Sequence, residues 1–268
     1  MKIVALIAVR NEELYIKRCL EHLESQGIET CIIDNGSTDR TLKIAESFAS
    51  RGVFRIEHLP YNGQFELMEQ LRYKEKLAKE INADWFIHQD ADEIREAPKP
   101  FKTLKEGFEA ADNQGFNAVN FDEFDFLPTT PEESFEDRNY VKEMKYYYFL
   151  EARPQHHIKA WKKTSHQIDL VSTGGHLVDF KGIKVFPVPF ILRHYMALSL
   201  AHANNKYGYR KFSSKELAKG WHKSRKIFSI NNFVLPRRGE LKMKTEDNDW
   251  DRSDPWLKHK CFGDYEWK

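Results

Sequence analysis

Cysteine is scarce in this 268-residue chain: Cys19, Cys31 and Cys261 are the whole set. An odd, unclustered trio makes neither a disulfide framework nor a zinc motif, and a reducing compartment is the simplest setting. Excess charge of one sign is missing too, with 42 Lys and Arg against 41 Asp and Glu. That balance argues against a strongly basic nucleic-acid binder, so no nucleic-acid partner is expected. No apolar run approaches the roughly 18 residues of a membrane span. The apolar start Ile3–Val9 is shorter than a signal-peptide core, and Arg10-Asn11-Glu12 follows it instead of small residues. It predicts a buried first strand in a cytoplasmic protein. No glycine-rich phosphate loop follows that strand, which excludes a dinucleotide-binding fold and a P-loop NTPase. What the chain does have is 41% hydrophobic residues, enough for a sizeable core.

The first 120 residues alternate between strand and helix periods. Strands are expected at Ile3–Val9, Thr30–Asp34, Val53–Glu57 and Asp84–Gln89. Helices are expected at Glu12–Gln26, from Thr38 or Ser37 as cap to about Ser50, and at Gln64–Ile81. This rhythm predicts an α/β fold with a mostly parallel sheet flanked by helices. A helix over Phe101–Asn113 and a strand at Phe116–Phe121 follow, then an acidic loop. Short strand-like runs fill Tyr146–Tyr195, and helices return at Leu198–Phe212 and Ser214–His222. Trp250, Trp256 and Trp267 in the polar tail predict that it packs on the body.

Three strand ends carry polar groups. Asp90-Ala91-Asp92-Glu93 follows the fourth strand, and ligands of open α/β sheets bind beyond such ends. Two carboxylates one residue apart can share a hard divalent cation, which in turn holds a diphosphate. Read alone, the motif equally fits turn formers and caps. Asp34-Asn35-Gly36-Ser37-Thr38-Asp39 ends the second strand, where a carboxylate or amide can pair with a base edge or ribose, or simply form a glycine turn. Arg10-Asn11-Glu12 ends the first. Their coincidence along one crevice is more informative than any one of them. An aspartate-nucleophile phosphatase would carry its D-x-D earlier, with Thr or Val where Ile94 stands.

Leu6–Glu12, Ile33–Thr41 and Asp84–Glu93 together resemble the three landmark segments of family 2 glycosyltransferases, which have the GT-A fold and use nucleotide-sugar donors. Looser similarity to a bacterial subset runs through Ser172–His176, Leu192–Tyr195, Lys206–Arg210 and Gly220–His222. The resemblance implies that Ala8, Arg10 and Glu12 flank the base and ribose, with Arg10 where the family carries an aromatic. Asp34 or Asn35 would contact the base, and Arg72 the base or diphosphate. Asp90 would touch ribose or metal and Asp92 would bind the metal, Mn²⁺ or Mg²⁺, with His194, or as second candidate His176, completing the metal or diphosphate site. Lys206, Arg210 and Lys211, at i, i+4 and i+5, would form a basic helix face that fits either neutralising the departing diphosphate or simple solvation, and the same holds for Lys223, Arg225 and Lys226. An inverting transfer needs a general base; Asp169 and His176 are the candidates, with Asp179, Asp122, Glu123 and Asp125 as further possibilities.

The resemblance thus implies a GT-A domain over residues 1–196, with a nucleotide-binding half (1–100) and an acceptor half (101–196). A helical extension and tail would occupy 197–268. The activity would be sugar transfer to a glycan or lipid-linked acceptor in bacterial surface polysaccharide synthesis, with peripheral contact at the inner membrane face. Two alternatives are another nucleotide-using enzyme, such as a nucleotidyltransferase, and a non-catalytic nucleotide- or sugar-binding module.

Overall fold

The computed structural model describes residues 1–208, 210–219, 233–246 and 248–262. The expectations for Tyr209, Gly220-Trp221-His222, Lys223, Arg225, Lys226 and Trp267 lie outside the described residues. In chain order the elements begin β1 (Ile3–Val9), α1 (Ile16–Ser25), β2 (Glu29–Asp34), α2 (Thr41–Glu46) and β3 (Val53–His58). They continue with α3 (Leu67–Glu80), β4 (Trp85–Gln89), β5 (Glu93–Glu96), α4 (Leu104–Asn113) and β6 (Ala118–Phe126). Then come α5 (Tyr140–Glu143), β7 (Tyr146–Leu150), β8 (Ile158–Lys162), β9 (Phe190–Tyr195), α6 (Leu200–Ala203), α7 (Ser214–Ala218) and β10 (Lys242–Met243). The chain divides into two compact units. One holds Met1–Asn62, Leu67–Asp122 and Gln155–Leu192; the other holds Gly63–Glu66, Glu123–Pro154 and Arg193–Lys268.

In the first unit β3, β2, β1 and β4 lie side by side and parallel. The all-apolar sequence of β1 fits its place, since Ile3 to Ile7 are at most 1% exposed. Leu71 and Leu77 of α3 pack with Val4, Leu6, Ile33 and Phe86 in one core. The expectation of a mostly parallel sheet holds through β4 and then ends. β8 joins β4 antiparallel, and β6 joins β8 antiparallel. A parallel return needs a crossover of a dozen or more residues, usually a helix. Between β6 and β8 the only helix among the described residues is the four-residue α5.

Several boundaries differ from the sequence reading. β6 runs on to Phe126, through residues expected to be loop. Glu123 and Asp125 disguise it, because both are buried along with the alternating Phe124 and Phe126. α2 is not capped by Ser37 or Thr38: Asp39 Oδ1 takes the Thr41 N–H at 2.8 Å, while Thr38 is bonded to Asn11. The helix expected over Leu198–Phe212 stops early. α6 passes into a π turn at Asn204–Gly208, and Arg210 and Lys211 lie beyond it. Lys206, Arg210 and Lys211 therefore share no helix face.

In the second unit, Glu123–Phe126 of β6 pairs antiparallel with β7, and β10 lies on the other edge of β7. The tail packs here as expected. Trp250 lies 4.5 Å from the Phe124 ring, and Trp256 stacks on Tyr148 at 4.1 Å. The three cysteines form no disulfide and are buried, and burial pushes the Cys31 thiol up to about 12. No helix among the described residues is long and apolar enough to cross a membrane.

Candidate active site

The parallel registers pair Val9 with Asp34 and Ile7 with Gln89, so the carboxyl ends of β1, β2 and β4 lie along one edge. The loops after β1 and β2 are laced together. Arg10 Nη1 donates to the carbonyls of Asn35 (3.0 Å) and Gly36, and its guanidinium lies 3.4 Å from the Tyr61 ring centre. Asn11, in the left-handed region at φ 56°, accepts the Thr38 N–H at 2.8 Å. The Glu12 N–H donates to Thr41 Oγ1 at 2.7 Å. Ala8 is half-buried at the end of the β1 run.

This lacing engages the two residues expected to read the base. The Asp34 carboxylate accepts the N–H groups of Gly36 and Ser37. Asn35 donates to the carbonyls of Leu59 (3.1 Å) and Pro60 (3.3 Å) and accepts from Gln70. Both are buried, and they shape the loop. Tyr61, which the sequence reading passed over, supplies an aromatic face beside Arg10. Arg72 is exposed, while α3 turns Gln70 and Lys74 inward.

The D-x-D segment sits on a buried charge network. Lys74 Nζ lies 3.0 Å from His88 Nδ1, donates to the Gln89 carbonyl at 3.1 Å, and approaches Asp90 Oδ1 to 3.8 Å. Lys159 Nζ donates to Glu93 Oε1 at 2.6 Å and lies 3.6 Å from Asp90 Oδ2. Arg95, fully buried, holds Glu93 Oε2 at 2.5 Å and Gln89 Oε1 at 2.6 Å. Lys159 first, and then Lys74, hold the Asp90 carboxyl well below the usual carboxylate range. Burial lowers the Lys74 ammonium to about 8. Burial and then Lys74 push His88 well below its ordinary value, so the ring is neutral and its Nδ1 accepts from Lys74. Two carboxylates, Asp90 and Glu93, are thus answered by three cations, Lys74, Lys159 and Arg95. Unmatched, they would repel a diphosphate. Asp90 is half-exposed and Asp92 is 9% exposed. Their all-oxygen donor set fits a hard divalent ion.

The Gly174-Gly175 loop rests on this network. Gly175 has φ 82°, and a Cβ there would lie 2.9 Å from His88 Nε2 and 3.0 Å from Leu71 Cδ2. Gly175→Ala is therefore expected to cost about 1–3 kcal/mol through backbone strain and overpacking. It should also displace His88; a melting curve and the nucleotide titration below check both. Of the two base candidates, Asp169 pairs its backbone with Asp179 and accepts the Ser172 N–H at 2.9 Å, a turn-forming role. His176 is exposed at the end of the glycine loop, its ring 4.8 Å from that of His156.

In the second unit, His194 Nδ1 lies 2.8 Å from Glu123 Oε1 and 2.7 Å from Asp125 Oδ1. The two acids at Nδ1 fix the orientation of the ring. Burial, then the neighbouring Glu123, push the Asp125 carboxyl up to about 8. Between its unfolded value of about 3.9 and that point, the folded state keeps a proton that the unfolded state releases. Stability from this group therefore falls as pH rises over that window. Asp125→Asn, which mimics the protonated acid, is expected to flatten the fall. In EDTA its melting temperature should exceed wild type increasingly from pH 5 to pH 8, by at least about 2 °C for each kcal/mol gained. Lys206 donates to the Met196 carbonyl at 3.3 Å, and Arg210 lies over Phe65 at 4.4 Å.

Residues 4–153 match the model of Glycosyl transferase family 2, and the chain belongs to that family. The resemblance carried by the three strand-end segments therefore holds. Over 92 residues the chain is 33% identical to a Rickettsia bellii protein described as an uncharacterized glycosyltransferase, covering 34% of this chain and 28% of that one. Over 90 residues it is 32% identical to LpsC of Rhizobium meliloti, a lipopolysaccharide core biosynthesis glycosyltransferase, covering 33% and 31%. The chain thus matches less than a third of the length of either curated relative. Among solved structures it is similar to S. aureus TarS, with 14% identity and a TM-score of 0.47, covering 78% of this chain and 38% of that one. It is also similar to glucosyl-3-phosphoglycerate synthase from Mycobacterium tuberculosis, with 20% identity and a TM-score of 0.32, covering 46% and 43%.

Proposed function

We propose that the protein transfers a sugar from a nucleoside-diphosphate sugar to an acceptor hydroxyl, with inversion, in the synthesis of a bacterial surface glycan. The observation that carries this reading is the D-x-D segment at the end of β4, its Asp90 flanked by Lys74 and Lys159, level with the ends of β1 and β2. Asp92, with Asp90, would hold Mn²⁺ or Mg²⁺. When bound, that ion screens the diphosphate and stabilises the leaving nucleotide. Lys74 and Lys159 hold Asp90 ionised and in place. Arg10, held over the Tyr61 ring and bonded to the Asn35 carbonyl, presents a cation at the strand-end edge for the base or diphosphate. The named role of LpsC supports a glycan or lipid-linked acceptor, which would bring the protein to the inner membrane face.

The test is thermal stabilisation by a panel of nucleoside diphosphates and nucleotide sugars with Mn²⁺, Mg²⁺ or EDTA. A ligand at about 100 times its Kd adds about 2.7 kcal/mol. A shift with one nucleotide that requires metal is the expected result. No shift with any nucleotide would leave the strand-end carboxylates as turn formers.

A further inference from the structure

Beyond the D-x-D segment, the first unit holds a second constellation suited to a metal ion. His156 and His157 lead into β8, and His176 closes the Gly174-Gly175 loop. Each offers a ring nitrogen, and these three atoms all lie within 4.8 Å of one another. The His156 and His176 rings are stacked at 4.8 Å, while His157 stands across them at 4.5 and 5.3 Å.

The backbone around the trio is fixed from both sides. The His157 N–H donates to Asn120 Oδ1 at 3.1 Å, and its carbonyl accepts the Phe121 N–H at 3.0 Å. Next to His176, the Leu177 N–H donates to Thr173 Oγ1 at 3.1 Å, and the Val178 N–H donates to the Ile158 carbonyl at 2.8 Å. His157 is 3% exposed, whereas His176 is open to solvent. Neutral imidazole is a borderline ligand that favours Zn²⁺, Co²⁺, Ni²⁺ or Cu²⁺ over Mg²⁺ or Ca²⁺. Tetrahedral zinc with Zn–N near 2.0–2.1 Å sets its ligand nitrogens about 3.3 Å apart. Side-chain rotation of the half-buried His156 and exposed His176 can close that difference.

We propose that His156, His157 and His176 form a three-histidine site for a divalent ion of the zinc class, with its fourth position open to water or an anion on the His176 side. Its donors are imidazole nitrogens, where Asp90 and Asp92 offer only oxygen. A metal-bound His176 takes no acceptor proton, so this site removes it from the candidates for general base.

The experiment is a Co²⁺ titration of the metal-free full chain, read by visible absorption and by equilibrium dialysis with metal analysis. Asp90→Asn/Asp92→Asn serves as the background that silences the oxygen site. In that background one equivalent of Co²⁺ should bind, with the intense visible band of a low-coordinate nitrogen site, and Zn²⁺ should displace it. Adding His176→Ala should weaken binding at least tenfold and abolish the band. His156→Ala should do the same, each with the melting temperature of its parent. No binding in the background, or binding that survives His176→Ala, would overturn the proposal. Because nucleotide is absent throughout, failure of the sugar-transfer reading leaves this result untouched, and the converse also holds.

Discussion

Asp92→Asn is expected to lower kcat/KM for sugar transfer by at least about a thousandfold and to abolish metal-dependent stabilisation by nucleotide. Loss of one electrostatic stabiliser of developing charge typically costs 10²–10³, and here the metal's contribution goes with it. The substitution preserves shape and sits in a turn, so the ligand-free melting temperature should move little. Asp90→Asn should behave differently. Its charge offsets Lys74 and Lys159, at 3.8 and 3.6 Å, so removing it lowers stability as well as activity. Measuring nucleotide affinity with and without Mn²⁺ separates the two. Unchanged metal-dependent affinity in Asp92→Asn would remove the central assignment.

Lys159→Met should be the most destabilising substitution in the network. Lys159 and Glu93 are 7% and 3% exposed at the side chain and 2.6 Å apart. Removing the lysine takes one of two cationic partners, Lys159 and Arg95, from a buried carboxylate, and losing one partner of a buried pair costs about 3–5 kcal/mol. Glu93→Gln added to Lys159→Met should recover part of that loss, because the uncompensated charge goes with it. A double-mutant cycle in urea reads the coupling, expected at about 1–3 kcal/mol. Additive losses would mean that the two side chains act independently.

How much of this was legible beforehand differs from element to element. β1 announced itself fully, because a strand covered on both faces must be apolar throughout. β6 did not beyond Phe121, because buried acids interrupt its pattern. β5 was hidden for the same reason, with Glu93 and Arg95 buried as a pair. Lys74 carried a faint signal, lying three residues from both Leu71 and Leu77 on the buried face of α3. Lys159 carried another, as a lone charge inside Ile158–Trp161. Neither could be matched to a partner by spacing: Lys159 meets Glu93 across 66 residues, and no local period reports a contact of that range.

The sequence by itself determined the alternating first half, the three polar strand ends and the family. Each is a local pattern of side-chain type, written in contiguous residues. Tertiary structure alone decided what those polar groups do. It engaged Asp34 and Asn35 in shaping their own loop, set Arg10 on Tyr61, and turned Lys74 rather than Arg72 inward. It also set the glycine loop against His88 and gathered His156, His157 and His176. A buried polar group must find a partner or lose several kcal/mol. Which partner it finds depends on chain segments that only packing brings together.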